Sequence, residues 1–148
     1  LHIIASETPF TPNVSKLAAS VKTSRATIMN YLKYLKNAKL IHLLYSNGEE
    51  DQMKKPDKVY LHNTNLLYAI APNNTENLNL RHTFFYNQLA YKNNLKSSEK
   101  GDFCVNGKYH FIDVGRKIEP TSEVYAASDV IEIGEGNKIP LWLFGFLY

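Results

Sequence analysis

The chain has 148 residues, is 44% hydrophobic and carries a formal net charge of +3. This length fits one ordinary domain or two small ones, and the apolar content is sufficient for a globular core. No apolar run approaches the roughly 20 residues that cross a bilayer, and residues 1–10 lack a signal-peptide pattern. The single cysteine, Cys104, excludes an internal disulfide framework and a cysteine-based zinc site. We therefore predict a cytoplasmic protein with no membrane partner. Because the chain begins at Leu1 without an initiating Met, we expect it to be the end of a longer protein.

The positive charges are concentrated between Asn13 and Lys39, a stretch that contains no acid. Its basic residues are Lys16, Lys22, Arg25, Lys33, Lys36 and Lys39. A basic block on a helical pair is typical of a protein that binds a polyanion. A solvated lysine face is the alternative explanation of the same charges.

The same stretch has the pattern of two helices separated by a turn. Asn13 can cap a short first helix, and Thr23 and Ser24 suit a turn and a second cap. The apolar stripe of the first helix is Val14, Leu17, Ala18 and Val21, and that of the second is Ile28, Tyr31, Leu32 and Leu35. We place Ala26, Met29, Asn30 and Lys33 on the opposite face of the second helix. This order predicts a helix-turn-helix unit.

In a helix-turn-helix the second helix enters the major groove, and its N-terminal residues meet the base edges. DNA is therefore the partner that this pattern favours. The candidate nucleic-acid-binding residues are Lys22, Arg25, Thr27, Asn30, Lys33 and Lys36.

The residues that follow predict a wing. An apolar strand from Leu40 to Tyr45, a turn at Asn47-Gly48 and a returning strand from Lys58 to Leu61 complete a winged helix-turn-helix domain over residues 1–62. The tip of the predicted wing carries three consecutive acids at 49–51, and these would repel nucleic-acid phosphates. The alternative is therefore a packing module that docks on a neighbouring domain or on another copy of the chain, as a homo-oligomer.

Residues 63–148 predict a second, small α/β domain, so the fold class is α+β. Asn63 caps a helix, a longer helix runs from about Leu80 to Tyr91, and a hairpin turns at Asn106-Gly107. The hairpin strands are 101–105 and 108–114, a further strand covers about 123–127, and the apolar end from Ile139 closes the layer.

Several strings then resemble the C-terminal region of bacterial AAA-type ATPases, common in Bacteroidetes. They are PNVSKL at 12–17, KVYLHNTN at 58–65, RHTFF at 81–85, DVG at 113–115 and GNKIPLWLFGFLY at 136–148. In that family a P-loop ATPase domain precedes a winged helix and an uncharacterised domain related to PD-(D/E)xK restriction-endonuclease-like folds.

The resemblance implies that this chain is a non-catalytic C-terminal module, and that ATP and magnesium belong to the ATPase domain of the parent protein. This chain has no G-x-x-x-x-G-K-[ST] loop to cradle a phosphate. The implied role is nucleic-acid binding through the winged helix. A protein-interaction or oligomerisation module of the same ATPase, packed on its own ATPase domain, is the alternative.

The resemblance also raises a third hypothesis, a metal-dependent nuclease. Such an enzyme holds a divalent metal with carboxylates and positions water with a lysine. The candidates are Asp102, Asp113 and Lys117, with His82 where the family has glutamate. Imidazole is a poorer magnesium ligand than a carboxylate, Gly115 stands where the lysine is usual, and the segment between Lys117 and Val124 is short, as if a stretch were missing. We therefore expect a degenerate site without nuclease activity.

Overall fold

The structure, a computed structural model, describes residues 1–7, 9–46, 54–74, 77–112 and 120–147. It is a mixed α+β fold, in which helices accompany one two-stranded and one five-stranded sheet. The predicted turn at Asn47-Gly48 lies outside the described residues, as do the acids at 49–51.

Among the described residues, the first half of the chain contains three helices and the two-stranded sheet. The helices are α1 (His2–Ser6), α2 (Val14–Ser20) and α3 (Arg25–Asn37). Strand β1 (Ile41–Leu44) pairs with β2 (Lys58–Leu61) in antiparallel register, with Ile41 opposite Leu61. Phe10 adds a short antiparallel bridge to Val59 on the outer side of β2.

The predicted caps of α2 and α3 are present. The Asn13 side chain accepts a hydrogen bond from the Lys16 amide at 3.0 Å, and the Ser24 hydroxyl oxygen accepts one from the Thr27 amide at 3.0 Å. These bonds satisfy amides that have no partner within the helix. The two helices are therefore separated by a turn at residues 21–24, as the sequence predicted.

The apolar stripe of α3 differs from the prediction at two positions. Ile28 and Leu32 are buried, but Tyr31 is half exposed, and Met29 packs against the first core. Successive residues are 100° apart on a helix, so Met29 and Tyr31 flank the buried stripe on opposite sides. The flexible thioether reaches the core, whereas the phenol is directed to solvent.

In the described part of the second half there are two α-helices and the five-stranded sheet. Helices α4 (Thr64–Ile70) and α5 (Asn77–Ala90) are separated by a 3-10 turn at Pro72–Asn74. The strands are β3 (Leu95–Ser97), β4 (Phe103–Val105), β5 (Tyr109–Ile112), β6 (Val124–Ser128) and β7 (Lys138–Pro140), and a 3-10 helix over Leu141–Phe146 follows.

The strand order of this sheet is β3-β4-β5-β6-β7. The first three strands are antiparallel, and β6 and β7 are parallel to β5. The predicted turn of the β4–β5 hairpin is present, since Asn106 and Gly107 have φ values of 54° and 70° and the Lys108 amide donates to the Val105 carbonyl. Two positive φ values in succession match the twist of a hairpin.

The two-stranded sheet lies between two hydrophobic cores. Side chains alternate along a strand, so Ile41 and Leu43 belong to the first core, with α1 to α4, while Leu44 and Tyr60 belong to the second, with α5 and the large sheet. The Ser97 amide also donates to the Tyr45 carbonyl at 3.0 Å. The two halves therefore share the buried two-stranded sheet. Helix α4 packs in the first core, although it lies beyond the domain boundary predicted at residue 62.

No helix in the part of the chain that the structure describes is both long and apolar enough to cross a membrane.

Candidate functional site

Helix α3 presents a polar and aromatic face to solvent. Asn30 and Lys33 are exposed along it, Arg25 is exposed at the first residue of the helix, and Tyr31 and Tyr34 are 50% and 64% exposed. The Thr27 hydroxyl lies 2.9 Å from that of Ser24, so its side chain contributes to the cap as well as to the surface. Three of the predicted contact residues, Arg25, Asn30 and Lys33, therefore have side chains open to a partner.

Most cations of the basic block have no ion-pair partner among the described residues. Within the described residues Lys16, Lys22, Arg25, Lys33 and Lys39 form no ion pair. All five are exposed, and their sequence neighbourhood contains no acid. This end of the molecule consequently carries a concentrated positive field.

Two of these lysines adopt a backbone conformation that is unfavourable for a lysine. Lys22 follows α2 and Lys39 follows α3, with φ values of 53° and 55°. In each case the next amide bonds back to the end of the helix, from Thr23 to Ala18 and from Leu40 to Leu35. This is the helix-ending geometry in which glycine is the usual residue. The two turns therefore place an exposed lysine just before the start of α3 and another just after its end.

Lys36 lies apart from the other candidate contacts. It is half-buried and lines a cavity of about 220 Å³ between the two halves, together with His42 and Tyr86. The pKa of His42 is lowered to about 4, mainly by burial and also by the neighbouring His62 and Lys36, although a hydrogen bond with the His62 backbone raises it. His42 is therefore neutral at physiological pH.

A second cluster lies at the start of β4 and includes two residues of the nuclease hypothesis. One Asp102 carboxylate oxygen is 3.8 Å from His82 Nε2 on α5, and the other is 3.8 Å from Lys58 Nζ on β2. His82 is buried against the rings of Tyr60 and Phe103. The structure thus brings His82 and Asp102 together and adds a lysine from the first half.

Gly101 positions Asp102. A Cβ at residue 101 would lie 2.5 Å from the carbonyl oxygen of Phe111, on the adjacent strand. The Asp102 amide donates to that carbonyl at 2.8 Å. Glycine is therefore required for this close backbone approach, which fixes where the carboxylate leaves the sheet.

The described residues do not fit a divalent metal at Asp102. Magnesium requires several oxygen ligands, but the neighbours of this carboxylate are an ammonium group and an imidazole. The described residues contain no group of three or more His, Cys, Asp or Glu side chains that could hold a metal ion. Asp113 and Lys117, the remaining candidates, lie outside the described residues.

Three residues of these sites were not predicted from the sequence. Tyr34 could have been found from its helical position. It lies six residues after Ile28, about 240° around the helix, and so away from the buried stripe. Lys58 and His42 could not, because each meets its partner through contacts between the two halves of the chain.

Comparison with known proteins identifies the first half. A family model described as a domain of unknown function (DUF8612) matches residues 1–77. This is more than half of the 148 residues, and the chain belongs to that family. The match spans α1 to α4 and the two-stranded sheet and ends where α5 begins. No curated protein and no solved structure matches the chain.

Proposed function

We propose that this chain is a non-catalytic module that binds duplex nucleic acid through the exposed face of α3, used as the recognition helix of a winged helix-turn-helix. The observation that carries the proposal is the set of five exposed cations that form no ion pair within the described residues, around a capped helix whose outward side chains are polar or aromatic. A major groove admits one helix, and lysine and arginine on its flanks reach phosphates.

The placement of the cations supports this geometry. Arg25 is in the first turn of α3, Lys33 is two turns further on, and Lys22 precedes the helix. A helix lying in a groove has phosphates on both sides, so residues at its start and along its length can contact both strands. Asn30, between them, offers an amide that can donate to and accept from a base edge.

Salt dependence tests the proposal. Each phosphate contact releases counterions, so the affinity should fall steeply with salt and show little preference between sequences. Replacing both Arg25 and Lys33 by alanine should lessen the slope of log K against log salt by about two, since each contributes one contact. Fluorescence anisotropy of a labelled duplex measures this slope.

A matched control removes two cations from the other half. The double replacement Lys92→Ala and Lys108→Ala changes net charge equally, at exposed positions outside α2 and α3. It should leave the slope unchanged. Absence of binding at low salt, or equal slopes for both double variants, would overturn the proposal.

A protein-docking module is the second candidate function, and the exposure of Tyr31 and Tyr34 favours it. Tyrosine and arginine are enriched at protein interfaces because they bury large areas and still donate hydrogen bonds. Replacing both tyrosines by serine should weaken docking strongly while sparing contacts made only to phosphate. The same anisotropy titration separates the two functions.

We also propose that the parent protein is a AAA-type ATPase and that residues from α5 onward are a degenerate PD-(D/E)xK-like domain. The strings at 58–65, 81–85 and 136–148 support the first statement, and the meeting of His82 with Asp102 supports the second. Sequencing the gene upstream of Leu1 tests the parentage, because it should encode a P-loop that binds ATP and magnesium.

A further inference from the structure

The end of the chain exposes a group of large apolar side chains. Trp142 is 53% exposed and Phe146 is 78% exposed on the 3-10 helix Leu141–Phe146, and their rings lie 6.1 Å apart. Val130 and Ile133, in the loop between β6 and β7, are 78% and 84% exposed. Isolated exposed apolar residues are ordinary, but a concentration of them marks an interaction site.

These side chains lie at one edge of the five-stranded sheet. Strands β6 and β7 are parallel, and Ser128 is paired with Pro140, so Val130 and Trp142 both follow the same ends of adjacent strands. The loop folds back onto β7, because a Cβ at Gly134 would lie only 3.4 Å from Pro140 Cδ. We call the surface formed by residues 129–135 and 142–147 the C-terminal face.

The C-terminal face is acidic as well as apolar. Residues 129–135 contain Asp129, Glu132 and Glu135 and no base. Asp129 is paired with Arg81 on α5, whose Nε donates to it at 2.6 Å, and this anchors the loop. Glu132 and Glu135 are exposed and directed to solvent. The face therefore combines aromatic and aliphatic groups with two exposed carboxylates that form no ion pair within the described residues.

The α3 face has the complementary chemistry. Its phenols, Tyr31 and Tyr34, are exposed on the same helix as the exposed cations Arg25 and Lys33, which form no ion pair within the described residues. Apolar contact between the two faces would bury Trp142 and Phe146 against tyrosine rings, and opposite charges at the rim would set the orientation.

We propose that the C-terminal face binds the α3 face of a second copy of this chain, head to tail. The two faces are different surfaces, so the contact is heterologous, and each bound copy still offers one free face. Association therefore continues beyond a dimer, into a ring or an open array. Duplex nucleic acid and a second copy would compete for the same α3 face.

Trp142 reports on this contact directly, because it is the single tryptophan of the chain. The purified chain, freed of nucleic acid, is studied by sedimentation velocity and intrinsic fluorescence over a range of concentrations at low salt. Species larger than a dimer should form as concentration rises, and Trp142 emission should shift to the blue. Added salt should reverse both changes, because the rim contacts are screened.

Charge exchange identifies the two faces. Variant A carries Arg25→Glu and Lys33→Glu, and variant B carries Glu132→Lys and Glu135→Lys. Each alone should weaken association about tenfold or more, since like charges then meet at the rim. An equimolar mixture of A and B should restore association, because each α3 face then opposes a C-terminal face of opposite sign. The pair Lys92→Glu and Lys108→Glu, at exposed sites that belong to neither face, is the charge-matched control and should associate normally.

Two results would overturn the proposal. One is a wild-type chain that remains monomeric at low salt up to its solubility limit. The other is a mixture of A and B that fails to associate although both variants give the wild-type circular dichroism spectrum. The experiment contains no nucleic acid, so either result leaves the proposed DNA binding to be judged by its own salt slope.

Discussion

The imidazole rings of His42 and His62 stack with their centroids 4.5 Å apart, and the ring of Tyr86 also stacks on His42, at 4.6 Å. The Tyr86 hydroxyl donates to the carbonyl of Leu43, so the stack joins α5 to strand β1. His42 Nε2 is buried in the stack and has no hydrogen-bond partner among the residues that the structure describes. Since a proton on this ring would add an unpaired charge near His62 and Lys36, the contact between the two halves depends on a neutral His42.

We expect the chain to lose stability between pH 6.5 and 4. The folded pKa of His42 is about 4, below its ordinary value of 6.5. A histidine whose pKa is lowered by folding contributes stability that is fully present above pH 6.5. This contribution is lost as the pH falls, because the unfolded chain takes up the proton before the folded chain does. At pH 5 the loss from His42 should be about 2 kcal/mol relative to neutral pH. Burial also lowers the pKa of His62, so its contribution has the same sign.

Urea unfolding at pH 7.5 and pH 5 measures this difference. His42→Phe preserves an aromatic ring in the stack and removes the titrating group, so most of the pH dependence should disappear. His2→Phe is the control, because His2 is exposed on α1. Equal pH dependence of wild type and His42→Phe would show that another group is responsible.

Lys22→Gly and Lys39→Gly should each stabilise the fold while weakening nucleic-acid binding. A non-glycine residue with positive φ destabilises the fold by roughly 1 kcal/mol, and glycine avoids this cost. Part of the gain is lost, because glycine has more conformational entropy in the unfolded chain. The expected gain in unfolding free energy is about 0.5 kcal/mol per site. Denaturant unfolding and duplex titration on the same samples measure the two effects.

The matched control is Lys22→Ala, which removes the charge but retains the Cβ in the left-handed region. It should weaken binding as Lys22→Gly does and should not stabilise the fold. A pair of glycine variants that stabilise the fold and bind duplex like wild type would mean that these lysines do not contact the ligand.

Local signals predicted much of the first half, and the reason is visible in its caps. Asn13 and Ser24 bond amides only three residues ahead, so their effect can be recognised in a short stretch of sequence. The turn at Asn106-Gly107 is equally local, since its two residues supply the two positive φ values themselves.

Non-local pairing explains what the sequence did not predict. Strand β3 has three residues, Leu95–Ser97, and is defined by its register with β4 rather than by its own pattern. The contact between Lys58 and Asp102 joins two sheets, and no periodicity indicates it. The two-stranded sheet is buried on both faces, and one feature of the sequence indicates this. Leu43 and Leu44 are adjacent apolar residues, a pattern typical of a fully buried strand.

Gly101→Ala should destabilise the fold by about 1–3 kcal/mol, because the new methyl group would overlap a backbone carbonyl that cannot rotate away. The close approach is that of the Cβ to the Phe111 oxygen, at 2.5 Å. Thermal unfolding measures the loss. Gly145→Ala is the matched control: its Cβ would lie 3.5 Å from Phe84 Cζ, an ordinary contact, so its effect should be small. Equal melting temperatures for the two variants would contradict this account.

We expect the purified chain not to cleave plasmid DNA with Mg²⁺ or Mn²⁺, and not to bind Mn²⁺ tightly. A divalent ion at Asp102 would have to approach the Lys58 ammonium, 3.8 Å from one carboxylate oxygen, and would meet an imidazole where a carboxylate is needed. Both neighbours therefore oppose the ion, one by charge and one by ligand type.

The double replacement Lys58→Ala and His82→Glu reverses both of these defects, so it should bind Mn²⁺ more tightly than wild type even if cleavage is not restored. Titration calorimetry with Mn²⁺ measures binding separately from catalysis, and a supercoiled plasmid measures cutting. Adding Asp102→Ala to the double variant should abolish the gained binding, since it removes the central carboxylate. Cutting by the wild-type chain that disappears with Asp102→Ala alone would establish an active metal site and refute the degenerate-domain proposal. Wild-type binding of Mn²⁺ unchanged by the double replacement would show that the ion is held elsewhere, and that Lys58 and His82 do not control metal access to Asp102.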